Sequence, residues 1–230
     1  MAVLFFILLC QSISRADYYN PLAIAMVTFD SIKDHQMPKG WWVEGGQNVG
    51  VESGYLRIKA DPLIGSGKWC TVWTPIVVSK NVQISYDAHI LSSRKNRNNI
   101  NLFLFYSDPS GKNLHETRAL RESAEYSLYH GLKGYIITFV KGEKDDARIR
   151  IRRCPGFKLL KEGNGYHCRR GNTYHFTVTK NKHEIIFDVD NGKYSLSAED
   201  QSPLFIGRIG FRTYRTDYWI DNLKVTALPD

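Results

Sequence analysis

Alternation of apolar and polar residues with a period of two is the feature that most constrains this chain. Residues 82–90 (VQISYDAHI) place apolar side chains at every second position. Residues 99–106, 173–179 and 183–189 continue the series, and turn-forming segments such as 190–193 (DNGK) separate the runs. Successive side chains of a β-strand point to opposite faces, so this pattern predicts half-buried strands. We therefore expect an all-β protein.

One segment, residues 116–130 (ETRALRESAEYSLYH), could pass for a helix, but it is mostly polar. We interpret it as an irregular connection with one helical turn. Many short strands without intervening helices predict a β-sandwich or jelly roll. A chain of 230 residues with 43% hydrophobic content can bury one substantial core, so a single domain is expected.

The N-terminus carries an apolar run from Ala2 to Cys10, followed by small residues at Ser14 and Ala16. This pattern is typical of a secretory signal peptide, residues 1–16, and the run is too short to span a bilayer. The alternative is a buried N-terminal strand. A cleaved signal leaves residues 17–230 as the β-sandwich domain and predicts a secreted or periplasmic protein.

The formal net charge is +8, which permits three kinds of partner: nucleic acid, an anionic surface or an acidic polysaccharide. Nucleic acid ranks last, because the sequence has no zinc-finger, helix-turn-helix or RNA-binding signature. The charge thus favours a partner that carries carboxylates or similar anions.

The cysteines suggest a disulfide in an exported protein. Cys154 and Cys168 flank a turn-rich loop and are the natural pair in an oxidising compartment, which leaves Cys70 over. Pairings of Cys70 with either of the others are the alternatives. No Cys/His cluster has zinc spacing, and Asp221-Asn222 offers too few oxygens for calcium. We expect no metal and no cofactor.

Six motifs follow one another in a characteristic order: GWWVEGG with VESGYLRI, WCTVWT with NVQISYDAHI, NINLFLFYSDPSG, EYSLYHGLKGYIITF, RIRRCPGFKLLKEG, and YWIDNLKV. The set resembles the YesU-like family of concanavalin-A-like jelly rolls, over about residues 26–228. The wider superfamily contains lectins, glucanases and polysaccharide lyases. The resemblance implies a jelly-roll β-sandwich of two antiparallel sheets and a sugar ligand. Family members lie near genes for pectin degradation, which implies a carbohydrate context.

Sugar cleavage needs specific side chains, and the irregular segment supplies candidates. Neither E-x-D-x-E nor E-x-D-x-x-E, the strings with which jelly-roll glucanases supply their two carboxylates, occurs here. The nearest mimic is Glu184, Asp188 and Asp190, and Glu122 and Glu125 are the other pair. A lyase instead needs a cation for the uronate carboxylate and a base for the adjacent proton. His130 and Tyr129 are the candidate bases, and Glu125 is the candidate acid or base.

Substrate binding needs cations and aromatic faces. Arg148, Arg150 and Arg152 share one face of a predicted strand, whereas Arg153 breaks the apolar face and is expected to point inward. Trp69 is expected to be an aromatic platform. The candidate substrate-binding residues are Arg153, Tyr126, Trp69, Arg152 and Arg212, and we expect them to converge with the catalytic candidates in a concave groove.

Three functional hypotheses follow from this sequence. The first is an exported protein that binds an acidic plant or algal polysaccharide and cleaves it as a lyase or hydrolase. The second is a non-catalytic, lectin-like carbohydrate-binding module that uses the same groove. The third is a sandwich for protein interaction without a sugar site. The oligomeric state is left open.

Overall fold

The computed structural model describes residues 23–60, 67–94, 97–141 and 147–230. The signal peptide expected at residues 1–16 lies outside these ranges and stays a prediction. Within them, fifteen β-strands form two antiparallel sheets, which confirms the predicted all-β sandwich. No helix among the described residues has the length and apolar character that a membrane span requires.

Eight strands form the first sheet. In chain order they are β1 (Ala23–Val27), β3 (Asn48–Glu52), β4 (Tyr55–Lys59), β6 (Val82–Ser93), β11 (Thr173–Asn181), β12 (Glu184–Val189), β13 (Tyr194–Glu199) and β15 (Thr216–Ala227). Their spatial order is β13-β12-β11-β6-β15-β4-β3, with β1 paired to the C-terminal half of β15. The predicted turn at 190–193 joins β12 to β13, and φ is positive at Asn191 and Gly192, as an Asn-Gly hairpin turn requires.

Seven strands form the second sheet. In chain order they are β2 (Trp42–Gly45), β5 (Trp69–Ser79), β7 (Asn99–Ser107), β8 (Lys133–Lys141), β9 (Ala147–Cys154), β10 (Lys158–Gly163) and β14 (Ile206–Tyr214). Their spatial order is β10-β9-β8-β7-β14-β5-β2. The irregular segment expected at 116–130 lies between β7 and β8 and forms two 3-10 helices, Arg118–Arg121 and Tyr126–Tyr129.

The main core lies between the two sheets, because the alternating apolar residues of both sheets belong to one buried cluster. Ile84 and Tyr86 of β6 meet Leu102 and Leu104 of β7 in this cluster. Period-two patterning thus fixes which face of each strand is buried. The face of the seven-stranded sheet that points away from this core is called the outer face below.

The expected Cys154–Cys168 disulfide is not formed. Cys70, Cys154 and Cys168 are buried free thiols. Cys154 lies on the outer face, where the hydroxyl of Tyr106 is 3.7 Å from its Sγ, whereas Cys168 lies in the main core. The two thiols are on opposite sides of a sheet, and a disulfide requires Cα atoms within about 7 Å and Cβ atoms directed at each other. The short distance between the two cysteines along the chain did not predict which side of the sheet each thiol would occupy.

Candidate functional site

The outer face has two halves with different coverings. The connection between β7 and β8, residues 108–132, folds over one half and buries it. The other half is open to solvent and forms a cavity. Both halves use the residues that alternate with the core positions of the same strands, so the functional surface and the core share one set of strands.

An aromatic cluster fills the covered half. Trp73, Phe103 and Tyr129 pack with ring centroids 5.2–6.2 Å apart. Gly210 of β14 leaves room for this cluster, since a Cβ atom there would lie 2.6 Å from the Trp73 ring. Aromatic rings therefore lie directly against the sheet, and Tyr129 is completely buried.

A buried ion pair accompanies the aromatic cluster. Arg121, 2% exposed, donates from Nη2 to Glu44 Oε1 at 3.0 Å and to the carbonyl oxygen of Leu114 at 2.7 Å. The hydroxyl of Tyr129 donates to Glu44 Oε2 at 2.7 Å. Burial and the Glu44 carboxylate hold the pKa of Tyr129 well above its usual range. The buried charged residues of this half, Glu44 and Arg121, thus pair with each other, as stable burial requires.

The open half forms what we call the arginine cavity, with a volume of about 550 Å³. This size lies within the range of roughly 300–1,000 Å³ that is typical of ligand sites. Its lining contains three kinds of side chain. The cations are Arg97, Arg148, Arg150, Arg152 and Arg212; the aromatic residues are Trp69, Tyr126, Phe157 and Tyr214; the small or polar residues are Asn99, Asn101, Thr138 and Val140. None of the described residues that line it is acidic.

Arg212 is the most deeply buried cation of the cavity. Its side chain is 2% exposed, and Nη2 donates to the carbonyl oxygen of Ala124 at 3.1 Å. The guanidinium lies 4.2 Å from the centroid of the Tyr126 ring, whereas Nε is buried without a hydrogen-bond partner. No carboxylate among the described residues forms an ion pair with Arg212. Burial lowers the pKa of Arg212 from its ordinary value, and neighbouring tyrosines counteract this effect.

Polar side chains of β7 and β8 form a hydrogen-bond chain that ends on the backbone of Arg212. Thr138 donates to Asn101 Oδ1 at 2.8 Å, and Asn101 Nδ2 donates to the backbone oxygen of Arg212 at 3.3 Å. Burial raises the pKa of Tyr126, and the Arg212 charge and a Thr138 hydrogen bond oppose that increase. Tyr126 therefore remains protonated at neutral pH and can act as a hydrogen-bond donor.

Arg152 and its neighbours form one wall of the cavity. Its Nη1 donates to the Phe157 carbonyl oxygen at 3.2 Å, and its guanidinium lies 4.2 Å from the Phe157 ring centroid. The His130 ring stacks on the same Phe157 ring at 3.8 Å. Burial lowers the pKa of His130, and the charges of Arg212 and Arg152 lower it further. His130 is therefore neutral at pH 7. Burial and the nearby Arg150 charge also lower the pKa of Arg152.

A second cavity adjoins the first. It measures about 960 Å³, and its described lining includes Trp69, which also lines the arginine cavity. We call it the glutamate cavity, because its described lining includes the buried Glu44 and the exposed Glu116 and Glu122. The exposed Arg118 and the half-buried Lys68 also line it. Trp69 therefore stands where the two cavities meet.

The structure brings together half of the residues expected at the site. Trp69, Tyr126, Arg152 and Arg212 all line the arginine cavity. His130 lies behind Phe157, and its Nε2 is buried without a hydrogen-bond partner.

Three other candidates are not part of the cavity lining. Tyr129 is buried in the covered half with its hydroxyl on Glu44. Glu125 is exposed at the start of the second 3-10 helix. Arg153 occupies the opposite face from Arg152, and its Nε lies 2.9 Å from Asp200 Oδ2. The expected convergence of all these side chains is therefore only partly realised. Neighbouring residues of β9 point to opposite faces, which separates Arg153 from Arg152, and the connection between β7 and β8 buries Tyr129 and exposes Glu125.

Sequence reasoning missed some of the lining. Asn99 and Asn101 line the cavity on the same face as the arginines. Tyr214 also lines it, and its ring centroid is 6.0 Å from that of Trp69. The period-two pattern of β7 already placed both asparagines on one side, which was the available signal. No group of three His, Cys, Asp or Glu side chains among the described residues is arranged to hold a metal ion.

Solved structures with this fold include several sugar-related proteins. One is a protein of unknown function with a galectin-like fold from Bacillus subtilis, with a TM-score of 0.75, 18% identity, and coverage of 92% of this chain and 100% of that one. Another is the carbohydrate binding module CBM66 from Bacillus subtilis, with a TM-score of 0.58, 15% identity, and coverage of 82% and 96%. These likenesses confirm the predicted jelly-roll fold.

A third similar structure comes from work on endo-acting O-glycanases of human gut microbiota that initiate mucin breakdown. Its TM-score is 0.64 at 14% identity, and the match covers 90% of this chain and 100% of that one. No curated protein matches the sequence. Membership of the YesU-like family is not confirmed. A different family model matches residues 64–223 of the sequence. The chain therefore belongs to the family described as Domain of unknown function (DUF6250).

Proposed function

We propose that this protein binds an acidic saccharide chain, with a sugar carboxylate seated against Arg212 and Arg152 in the arginine cavity. The observation that carries the proposal is Arg212, a buried cation without a carboxylate partner among the described residues. An uncompensated buried charge is costly, so a protein retains one where a ligand supplies the opposite charge. A ligand carboxylate accepts from guanidinium groups through strong, charge-assisted hydrogen bonds.

The rest of the lining suits a sugar. Tyr126, Phe157 and Tyr214 present aromatic surface, while Asn99 and Thr138 offer hydrogen-bonding groups for hydroxyls. Pockets that combine apolar faces with a few fixed polar groups are typical of small-ligand sites. The net charge of +8 also favours the approach of an anionic polymer. The carbohydrate-binding module among the similar folds supports a sugar as the ligand class.

Elimination is the second candidate, favoured by the position of Tyr126 and His130 beside the two arginines. In that reaction a base takes the proton next to the uronate carboxylate, a C=C bond forms, the glycosidic C–O bond breaks, and the departing oxygen takes a proton. A neutral His130 could accept a proton and a protonated Tyr126 could donate one. However, His130 Nε2 is enclosed and does not line the cavity. Binding without cleavage is therefore the primary proposal.

Hydrolysis has less support in this cavity. A retaining glycosidase needs two carboxylates about 5–5.5 Å apart, and the described lining of the arginine cavity has none. The similar structure from the work on O-glycanases shares the fold. A shared fold does not decide between sugar binding and sugar cleavage. Secretion or export to the periplasm completes the proposal, because the N-terminal residues resemble a signal peptide.

Calorimetric titration tests this function. The ligands are oligogalacturonate and the same oligosaccharide with its carboxylates reduced to alcohols. We expect binding of the acidic form, and a loss of roughly 10- to 150-fold on carboxyl reduction or in Arg152→Gln, since a hydrogen bond to a charged group contributes about 1.5–3 kcal/mol. Arg208→Gln is the matched control, because Arg208 lies on the same face of β14 but does not line the cavity.

Equal affinity for both oligosaccharides would overturn the proposal, as would an equal effect of the Arg152 and Arg208 substitutions. Absorbance of unsaturated uronates during the same incubation separates the two candidates. A steady rise that Tyr126→Phe abolishes would replace binding by elimination as the function.

A further inference from the structure

The two cavities that meet at Trp69 differ in charge. The arginine cavity is lined by five arginines and by no acidic residue of the described chain, and one of the five, Arg150, pairs with Glu162. The lining of the glutamate cavity instead contains the exposed residues Glu116 and Glu122, together with Lys68 and Arg118. A ligand that extends past Trp69 therefore passes from a cationic surface to one of mixed charge.

The carboxylates of Glu116 and Glu122 are accessible, and the backbone of Glu122 is held against the sheet. The backbone oxygen of Glu122 accepts from Gly45 N of β2 at 2.9 Å, which ties this part of the connection to the sheet. Glu116 and Glu122 are both exposed, and neither carboxylate has a partner among the described residues. A cavity lining that contains both carboxylate acceptors and cationic donors suits sugar hydroxyl groups, which both donate and accept. A second ligand carboxylate would instead face like charges.

We propose that the protein recognises an acidic sugar unit joined directly to an uncharged one, with the acidic unit in the arginine cavity and the uncharged unit in the glutamate cavity. This inference rests on the proposed function, because it assumes that the arginine cavity holds the carboxylate. Trp69 separates the two subsites. The preferred ligand is thus a mixed acidic and neutral saccharide, and not a chain in which every unit is charged.

A matched series of α-1,4-linked disaccharides tests the inference: digalacturonate, the two mixed galacturonate–galactose disaccharides, and digalactose. We expect one mixed disaccharide to bind about three- to tenfold more tightly than digalacturonate, the effect of one or two exposed like-charge contacts. The variant Glu116→Gln/Glu122→Gln should abolish that difference by improving the binding of digalacturonate. Glu199→Gln, an exposed carboxylate of β13 on the other sheet, should leave the difference unchanged.

The outcomes distinguish this inference from the function on which it rests. If digalacturonate binds as tightly as both mixed disaccharides, or if the double variant leaves their ratio unchanged, the two-subsite inference is wrong and the acidic-saccharide function stands. If digalactose binds as tightly as the acidic disaccharides, both fail.

Discussion

Arg121 and Arg212 are equally buried beside the outer face, each 2% exposed, yet their surroundings differ. Arg121 lies in the covered half and donates to Glu44, Thr117 and the Leu114 carbonyl oxygen. Arg212 lies under the open half, with one carbonyl acceptor, two tyrosine rings and a buried Nε that has no partner. Every nitrogen of the Arg121 guanidinium has a hydrogen-bond partner, whereas Nε of Arg212 has none.

The difference separates a structural charge from one that is available to a ligand. The covered half can lose neither Arg121 nor Glu44 without stranding a buried charge. The open half carries its unpaired charge where a ligand can enter. Substitutions of Arg121, Arg212 and His130 test this contrast, and a reducing agent tests the separation of the two faces of the sheet.

Arg121→Met should have the largest effect on stability. It strands the Glu44 carboxylate, and breaking a buried pair in this way costs about 3–5 kcal/mol of the free energy of unfolding. Chemical denaturation would measure the loss. A second substitution, Glu44→Gln, removes the stranded charge and should restore part of it. A loss below about 1 kcal/mol for Arg121→Met would show that the pair is not a structural requirement.

Arg212→Met should lower the affinity for the ligand and have little effect on stability. It strands no described carboxylate, so the free energy of unfolding should fall by no more than about 1 kcal/mol or should rise. Affinity for oligogalacturonate should fall roughly 10- to 150-fold, the value of a charge-assisted hydrogen bond. The same denaturation and titration experiments measure both. If Arg212→Met destabilises the fold as much as Arg121→Met does, the contrast between the two arginines does not exist.

The pKa of His130 depends on the charge of Arg212, so the pH dependence of stability is sensitive to that charge. Its folded pKa is below the ordinary value of 6.5, so the unfolded chain binds the proton more tightly. Its contribution to stability is therefore fully present above about pH 6.5 and is lost as the pH falls from there through the lowered folded pKa. His130→Phe should reduce the loss of stability between neutral and acidic pH.

Nuclear magnetic resonance titration of the His130 ring sharpens this test. In Arg212→Met the pKa of His130 should rise, because a repelling charge is gone. An unchanged pKa would mean that Arg212 does not act on His130. Arg208→Gln serves as the control, since Arg208 does not contribute to the pKa of His130.

The smallest expected effect is that of a reducing agent. Cys154 belongs to the outer-face cluster and Cys168 to the main core, so we expect free thiols and an unchanged melting temperature on reduction. Thiol labelling after denaturation should modify both residues. Detection of a Cys154–Cys168 disulfide peptide in the protein purified without a reducing agent would contradict the assignment of the two thiols to opposite sides of the sheet.

Local patterning predicted more of the fold than of the site. Alternation placed Arg148, Arg150 and Arg152 on one face of β9 and Arg153 on the other, as the structure has them. Alternation could not show which face of the strand would border a cavity. That depends on how much of the outer face the connection between β7 and β8 covers. That tertiary contact also determines that Tyr129 is enclosed while Tyr126, in the same helical turn, lines the cavity.

The most direct test of the central claim is a crystal structure of the protein with a bound galacturonate oligosaccharide. We predict a sugar carboxylate within hydrogen-bonding distance of the Arg212 and Arg152 guanidinium groups, on the open half of the outer face. A sugar bound on the eight-stranded sheet, or in the cavity with its carboxylate directed away from both arginines, would contradict the account.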